Sequence, residues 1–186
     1  MVSRLYLFGD SNLVRLQHNP AFRSLFSKYE IVNWAVSGLT SRAALSKLAE
    51  FLKQGPVPRD VSIIVILIGT NDIKNRPSSF DKFSFLKITK VTRKLFKEVI
   101  LCRIPPCPRD PNVTPVVSET NRWINSFHSV SNIKILDSFL PFMLGTQILI
   151  QFFEKVFKPT LKTDLIHFNA RGHQLFAQIL FSILSP

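Results

Sequence analysis

Apolar residues fall into five short, nearly unbroken runs along the chain, at residues 5–8, 31–36, 61–68, 99–104 and 133–136. Runs of this length, without polar alternation, have the pattern of strands buried on both faces. Elsewhere, apolar positions recur at three-and-four spacing over residues 14–26, 41–52, 80–97, 116–127 and 169–184, which predicts helices. Strand and helix therefore alternate, and this order predicts an α/β protein whose mostly parallel five-stranded sheet is covered by helices on both faces. Ligands of such sheets gather at the carboxyl ends of the strands. The residues that follow each run are where chemistry is to be sought.

The first run stops at Gly9 and is followed by Asp10-Ser11-Asn12, after which Leu13, Val14 and Leu16 resume at helical spacing. Ser11 thus falls on a turn from strand to helix, where it reads either as a helix cap or as a nucleophile beside N–H groups that favour a developing oxyanion. Asp10 reads as a local turn-stabilising group. At the second exit Gly38 either serves the turn alone or brings its N–H close to a ligand. The third exit is Gly69-Thr70-Asn71-Asp72, in which Asn71 either forms the turn with Asp72 or donates its carboxamide N–H to an oxyanion. The fourth is a proline-rich loop, residues 103–111, which cannot continue the sheet. Near the C-terminus, Asp164-Leu165-Ile166-His167 precedes Asn169, a good N-cap for the last helix. One turn can bring the Asp164 carboxylate to His167 Nδ1, leaving Nε2 to take a proton from a serine. His173 lies inside the last helix and reads as a packing or exposed residue.

Composition adds bounds and one further feature. A chain of 186 residues with 46% hydrophobic and 19% charged residues excludes a disordered protein and fits one globular domain spanning residues 1–186. The two cysteines, Cys102 and Cys107, lack the further ligand spacing of a zinc site, so no metal and no cofactor is expected. The start of the chain leads straight into the first strand and shows no secretory signal, which makes a cytoplasmic chain, or a piece of a larger one, the expectation. The net charge of +12 is concentrated: residues 74–109 hold ten basic residues against Asp81 and Glu98. Within them Phe85, Ile88, Val91 and Leu95 fall on one side of the predicted helix, and Lys87, Lys90, Lys94 and Lys97 on the other. That lysine face reads as a solvated surface or as a contact for a polyanion, either nucleic acid or an anionic membrane. Residues 138–153 carry no charge, but this run of 16 residues, broken by Pro141 and Gly145, is too short for a membrane span. It reads as a core helix or as an apolar wall that receives an acyl group.

Taken together, Gly9-Asp10-Ser11-Asn12, Gly38, Gly69-Thr70-Asn71-Asp72 and Asp164-Leu165-Ile166-His167 resemble, in order and spacing, the four blocks of the SGNH (GDSL-like) hydrolase superfamily. The resemblance spans nearly the whole chain. It implies a three-layer α/β/α sandwich with a flavodoxin-like sheet, and a serine esterase acting on a small-molecule or lipid ester. In that scheme Ser11 is the nucleophile, His167 the general base and Asp164 its orienter. Ser11 N–H, Gly38 N–H and the Asn71 side chain form the oxyanion hole. Asn12 stands where the original signature has Leu, a position that varies in the superfamily. The alternative function is a basic nucleic-acid-binding module on the same scaffold, as in Oskar-type or LINE retrotransposon esterase-like domains. The Oskar-type domain lacks the catalytic set, whereas every member of it is present in this sequence.

Overall fold

The computed structural model describes residues 2–75, 80–157, 162–163 and 165–185. Its centre is a five-stranded parallel sheet of β1 (Ser3–Gly9), β2 (Tyr29–Asn33), β3 (Ser62–Leu67), β4 (Glu98–Cys102) and β5 (Ile133–Leu136), in the order β2-β1-β3-β4-β5. This is the flavodoxin-like order, in which the winding reverses at β1 and opens a crevice between the ends of β1 and β3. Ser11 and Asn71 follow those two strands directly.

Alternate residues of each strand feed two cores. Tyr6, Phe8, Ile64, Ile66, Val99 and Leu101 point to one face, beneath α3 (Ser41–Leu52), α5 (Lys82–Leu95) and α6 (Thr114–Asn125). Leu5, Leu7, Val65, Leu67, Ile100 and Cys102 point to the other, beneath α1 (Ser11–Leu16), α2 (Pro20–Leu25) and α7 (Ala170–Leu184). Burial on both faces is why the strands read as continuous apolar runs. Among the described residues, no helix is long and apolar enough to cross a membrane.

Four sequence expectations are corrected. The helix expected over 14–26 is two helices, because Asn19 caps α2 by accepting the Ala21 and Phe22 N–H groups, and Pro20 occupies its first turn. A short helix, α4 (Thr70–Asn75), follows β3 where a turn was expected. The helix over 80–97 ends at Leu95, so Lys97 lies beyond it, its N–H bonded to Arg59 O and Ser62 O. Residues 138–153 form no α-helix but 3-10 turns and a small hairpin, β6 (Met143–Leu144) with β7 (Gln147–Ile148). Its large side chains alternate between burial (Phe142, Phe153) and exposure (Leu140, Leu144, Ile150), with no helical period.

Candidate active site

The turn after β1 is built for close approach. A Cβ on Gly9 would lie 2.1 Å from the Leu67 carbonyl oxygen, so only glycine lets β1 and β3 converge at this point. The last rung, Asp10 N–H to Leu67 O at 3.0 Å, then hands the chain to α1. Asp10 is the N-cap of that helix and its Oδ1 accepts the Asn12 N–H at 2.9 Å, the local turn role expected of it. Ser11 follows as the first helical residue, half-buried, with Oγ 2.8 Å from His167 Nε2. The Ser11 hydroxyl donates to Nε2 when the ring proton sits on Nδ1. Asp164, the expected orienter of Nδ1, lies outside the described residues.

Backbone bonds hold the His167 loop from both sides. Residues 152–154 act as a template for it: Asn169 N–H donates to Phe152 O, Glu154 N–H to His167 O at 2.8 Å and Leu165 N–H to Glu154 O at 2.7 Å. Leu165 itself sits at φ +46°, the left-handed region that costs a branched side chain about 1–2 kcal/mol. From the serine side, the buried Asn12 Oδ1 accepts the Phe168 N–H at 3.0 Å, one residue from His167. Asn12 thereby ties the helix that begins at Ser11 to the His167 loop. His173, 5% exposed, donates Nε2–H to the Asn12 carbonyl at 3.1 Å, and its burial pushes its pKa down to about 4, keeping it neutral. It is therefore a packed hydrogen-bond donor.

The other two exits are joined to each other. Asp72 accepts the Ser41 N–H at 2.9 Å and the Ser41 hydroxyl at 2.6 Å, fixing the start of α3 against α4. Burial raises the Asp72 pKa, and the Ser41 bonds oppose that shift. The Asn71 carboxamide donates to Leu39 O at 3.2 Å, which clamps it to the Gly38 turn and leaves a second amide N–H to spare. Gly38 is exposed at φ +79°. Among the described residues neither the Gly38 N–H nor the Ser11 N–H has a hydrogen-bond acceptor.

Asp10 is the unusual charge of the site. It is 1% exposed, and burial raises its pKa to about 6, against the opposing pull of the Asn12 N–H and the Thr70 hydroxyl, with Asp72 repulsion adding to the rise. Its Oδ2 and Thr70 Oγ1 are both buried without a well-formed hydrogen bond, so the Thr70 contribution is weak. Cys102 and Cys107 are buried free thiols. Among the described residues, no group of three or more His, Cys, Asp or Glu is placed to hold a metal.

A groove of about 740 Å³ opens between the proline-rich loop, α6 and the β6–β7 hairpin. Pro108, Pro115, Ile148 and Ile150 supply its apolar wall, and Thr114, Ser118, Thr146 and Gln147 its polar one. It adjoins the histidine loop, because Arg109, next to Pro108, donates its N–H to Leu165 O at 3.2 Å. The structure thus brings together Ser11 and His167, and Asn71 with the Gly38 turn, while Lys87, Lys90, Lys94 and Lys97 are exposed on the outer surface. Asn12 and the 152–154 template escaped the sequence reading, since nothing in the chain's order marks a contact between residues 156 positions apart.

The sequence pattern of the GDSL-like lipase/acylhydrolase family matches residues 7–175. Among solved structures, a lipolytic protein of the G-D-S-L family from Veillonella parvula superposes with a TM-score of 0.74 at 17% identity, covering 98% of each chain. A lipase/acylhydrolase from Enterococcus faecalis gives 0.71 at 19% identity, over 98% of this chain and 95% of that one. An acetylxylan esterase from Geobacillus stearothermophilus gives 0.68 at 16% identity, over 97% and 93%. At these identities the likeness is one of fold. No curated protein matches the sequence.

Proposed function

The chain belongs to the GDSL-like lipase/acylhydrolase family, a family of ester hydrolases, and on that premise we propose that it cleaves esters through an acyl-Ser11 intermediate. The observation that carries the reading is the 2.8 Å contact between Ser11 Oγ and His167 Nε2 at the end of β1. Ser11 Oγ attacks the ester carbonyl carbon while its proton passes to His167 Nε2, and the carbonyl π pair moves to oxygen. Ser11 N–H, Gly38 N–H and the spare N–H of Asn71 stabilise that oxyanion. Collapse expels the alkoxide, which takes the proton from Nε2. Water, deprotonated by the same nitrogen, then attacks the acyl carbon and frees Ser11. Asp164, three positions before His167, is the carboxylate assigned to Nδ1, fixing the tautomer and stabilising the imidazolium.

The groove beside the histidine loop receives the bulk of the substrate. Its volume of about 740 Å³ is in the range of small-molecule sites, and among the described residues its lining holds no charged side chain. The ester therefore carries a sizeable uncharged portion. A panel of p-nitrophenyl esters of rising acyl length, and of acetates of rising alcohol size, tests both claims against Ser11→Ala. Turnover by the wild type with none by Ser11→Ala supports the nucleophile, and the series that improves with length identifies which side of the ester fills the groove. Equal, slow rates for the two proteins across both series overturn the reading.

A further inference from the structure

The layer of α3, α5 and α6 has a charge imbalance that the ester chemistry does not use. These three helices carry eight basic residues and two acids. Each acid on these helices, and the one at the α5 N-cap, is already engaged: Glu50 with Lys47 at 2.6 Å, Glu119 with Lys82 at 3.9 Å, and Asp81 with Arg42 at 3.4 Å. Lys87, Lys90, Lys94 and Lys97 are exposed, and among the described residues none of them has an acidic partner. At 3.6 residues per turn, Lys87, Lys90 and Lys94 fall within an arc of about 60° on α5. Lys97 is exposed two residues past the helix end, with its N–H on the Arg59 and Ser62 carbonyls. Like charges at this spacing repel one another, so the face is most stable against a line of negative charge.

One residue in the row is not basic. Phe83 falls in the same arc one turn before Lys87 and is 65% exposed, with Lys87 Nζ 4.2 Å from its ring centroid. An exposed aromatic ring set among unpaired lysines is the combination that holds single-stranded nucleic acid: cations track the phosphates and the ring stacks on a base. From Phe83 to Lys94 the row runs about 16 Å along the helix at 1.5 Å per residue. A membrane surface fits less well, because the exposed apolar side chains Leu140, Leu144 and Ile150 stand on a segment that does not pack on α5. Phe142 and Phe153 of their segment are buried in the core on the opposite face of the sheet, and Phe139 in the core on this one.

We infer that the outer face of α5, formed by Phe83, Lys87, Lys90 and Lys94 with Lys97 at its end, is a docking surface for single-stranded nucleic acid. It is separate from the Ser11–His167 site and does not depend on the esterase reading.

The test is fluorescence anisotropy of the full chain with a labelled oligo(U) RNA of about 16 nucleotides, titrated from about 50 to 200 mM salt. Four lysine–phosphate contacts give a slope of log K against log salt of about −3. The Lys→Gln variant at 87, 90, 94 and 97 flattens that slope. Phe83→Ala weakens binding about ten- to a hundredfold at every salt concentration and keeps the slope, because it removes stacking and no charge. A variant with the exposed Lys28 and Lys155 changed to Gln binds as the wild type does. Ester turnover is the same in all of these variants, so a failure here and a failure of the Ser11 chemistry are told apart. Absence of RNA binding at about 50 mM salt overturns the inference. So does an equal loss in the Lys28/Lys155 variant, or binding to phosphatidylserine vesicles in place of RNA.

Discussion

Changing Asp10 to Asn should stabilise the fold at neutral pH and leave it unchanged in acid. Asp10 has a carboxyl whose pKa rises from an ordinary 3.8 to about 6, with burial the largest cause. A folded-state value above the unfolded one means that stability is fully present below about 3.8 and falls as pH rises through about 6. The difference corresponds to a penalty of about 3 kcal/mol for keeping the ionised carboxylate buried at pH 7. Asn removes that penalty and keeps the cap, since its Oδ1 can accept the Asn12 N–H as Asp10 now does. The lost attraction between carboxylate and helix N-terminus returns up to about 1 kcal/mol, which leaves a gain of roughly 2–3 kcal/mol. His173 works in the opposite direction. Its pKa falls from 6.5 to about 4, so the stability it lends is present above 6.5 and is lost as pH drops through about 4. The two groups offset each other in the wild type, and the difference between wild type and Asp10→Asn isolates the aspartate. Urea unfolding at intervals from pH 4 to pH 8 measures it. The gain should be roughly 2–3 kcal/mol at pH 7–8 and near zero at pH 4. A difference that does not vary with pH, or a loss of stability at pH 7, refutes the reasoning.

Three further substitutions probe the site. Asn12→Leu restores the superfamily's original residue but leaves the buried Phe168 N–H without its acceptor. It should cost about 1–3 kcal/mol in urea unfolding and lower kcat more than it raises KM, because the His167 loop loses its tie to α1. Asn71→Ala should lower kcat by about 10²–10³ in steady-state ester hydrolysis, the effect of one missing oxyanion donor. Gly38→Ala meets no steric obstacle, since nothing lies within 4 Å of the added Cβ, but φ +79° opposes any side chain. Thermal unfolding should show a loss of about 1–2 kcal/mol.

The sheet was legible because both its faces are covered. Strands buried on each side leave uninterrupted apolar runs, and the α3 boundaries follow directly from the amphipathic spacing between Ser41 and Leu52. The break between α1 and α2 was also written in the chain, as Asn19-Pro20, but the apolar period continues across it. Residues 138–153 misled for a physical reason: their phenylalanines are anchored one by one, Phe142 stacked on Phe168 with ring centroids 4.5 Å apart, and not along a helical stripe. Ser11 and His167 were legible as types at strand and helix junctions. The clamps that hold them, the Asn12 carboxamide on the Phe168 N–H and the Glu154 N–H on the His167 carbonyl, join residues distant in the chain through main-chain groups that carry no residue signature. Asp10 reads from the sequence as a local turn-stabilising group and caps α1, yet its burial and raised pKa come from its seat beside Leu67, Thr70 and Asp72, which the sequence does not display.

The central claim is that Ser11 is a nucleophile activated by His167, and a serine-reactive fluorophosphonate tests it without knowledge of the ester. Intact and peptide mass spectrometry should find one covalent adduct, on the peptide holding Ser11, absent in Ser11→Ala and formed far more slowly in His167→Ala. Absence of an adduct in the wild type, or an adduct that survives Ser11→Ala, would contradict it.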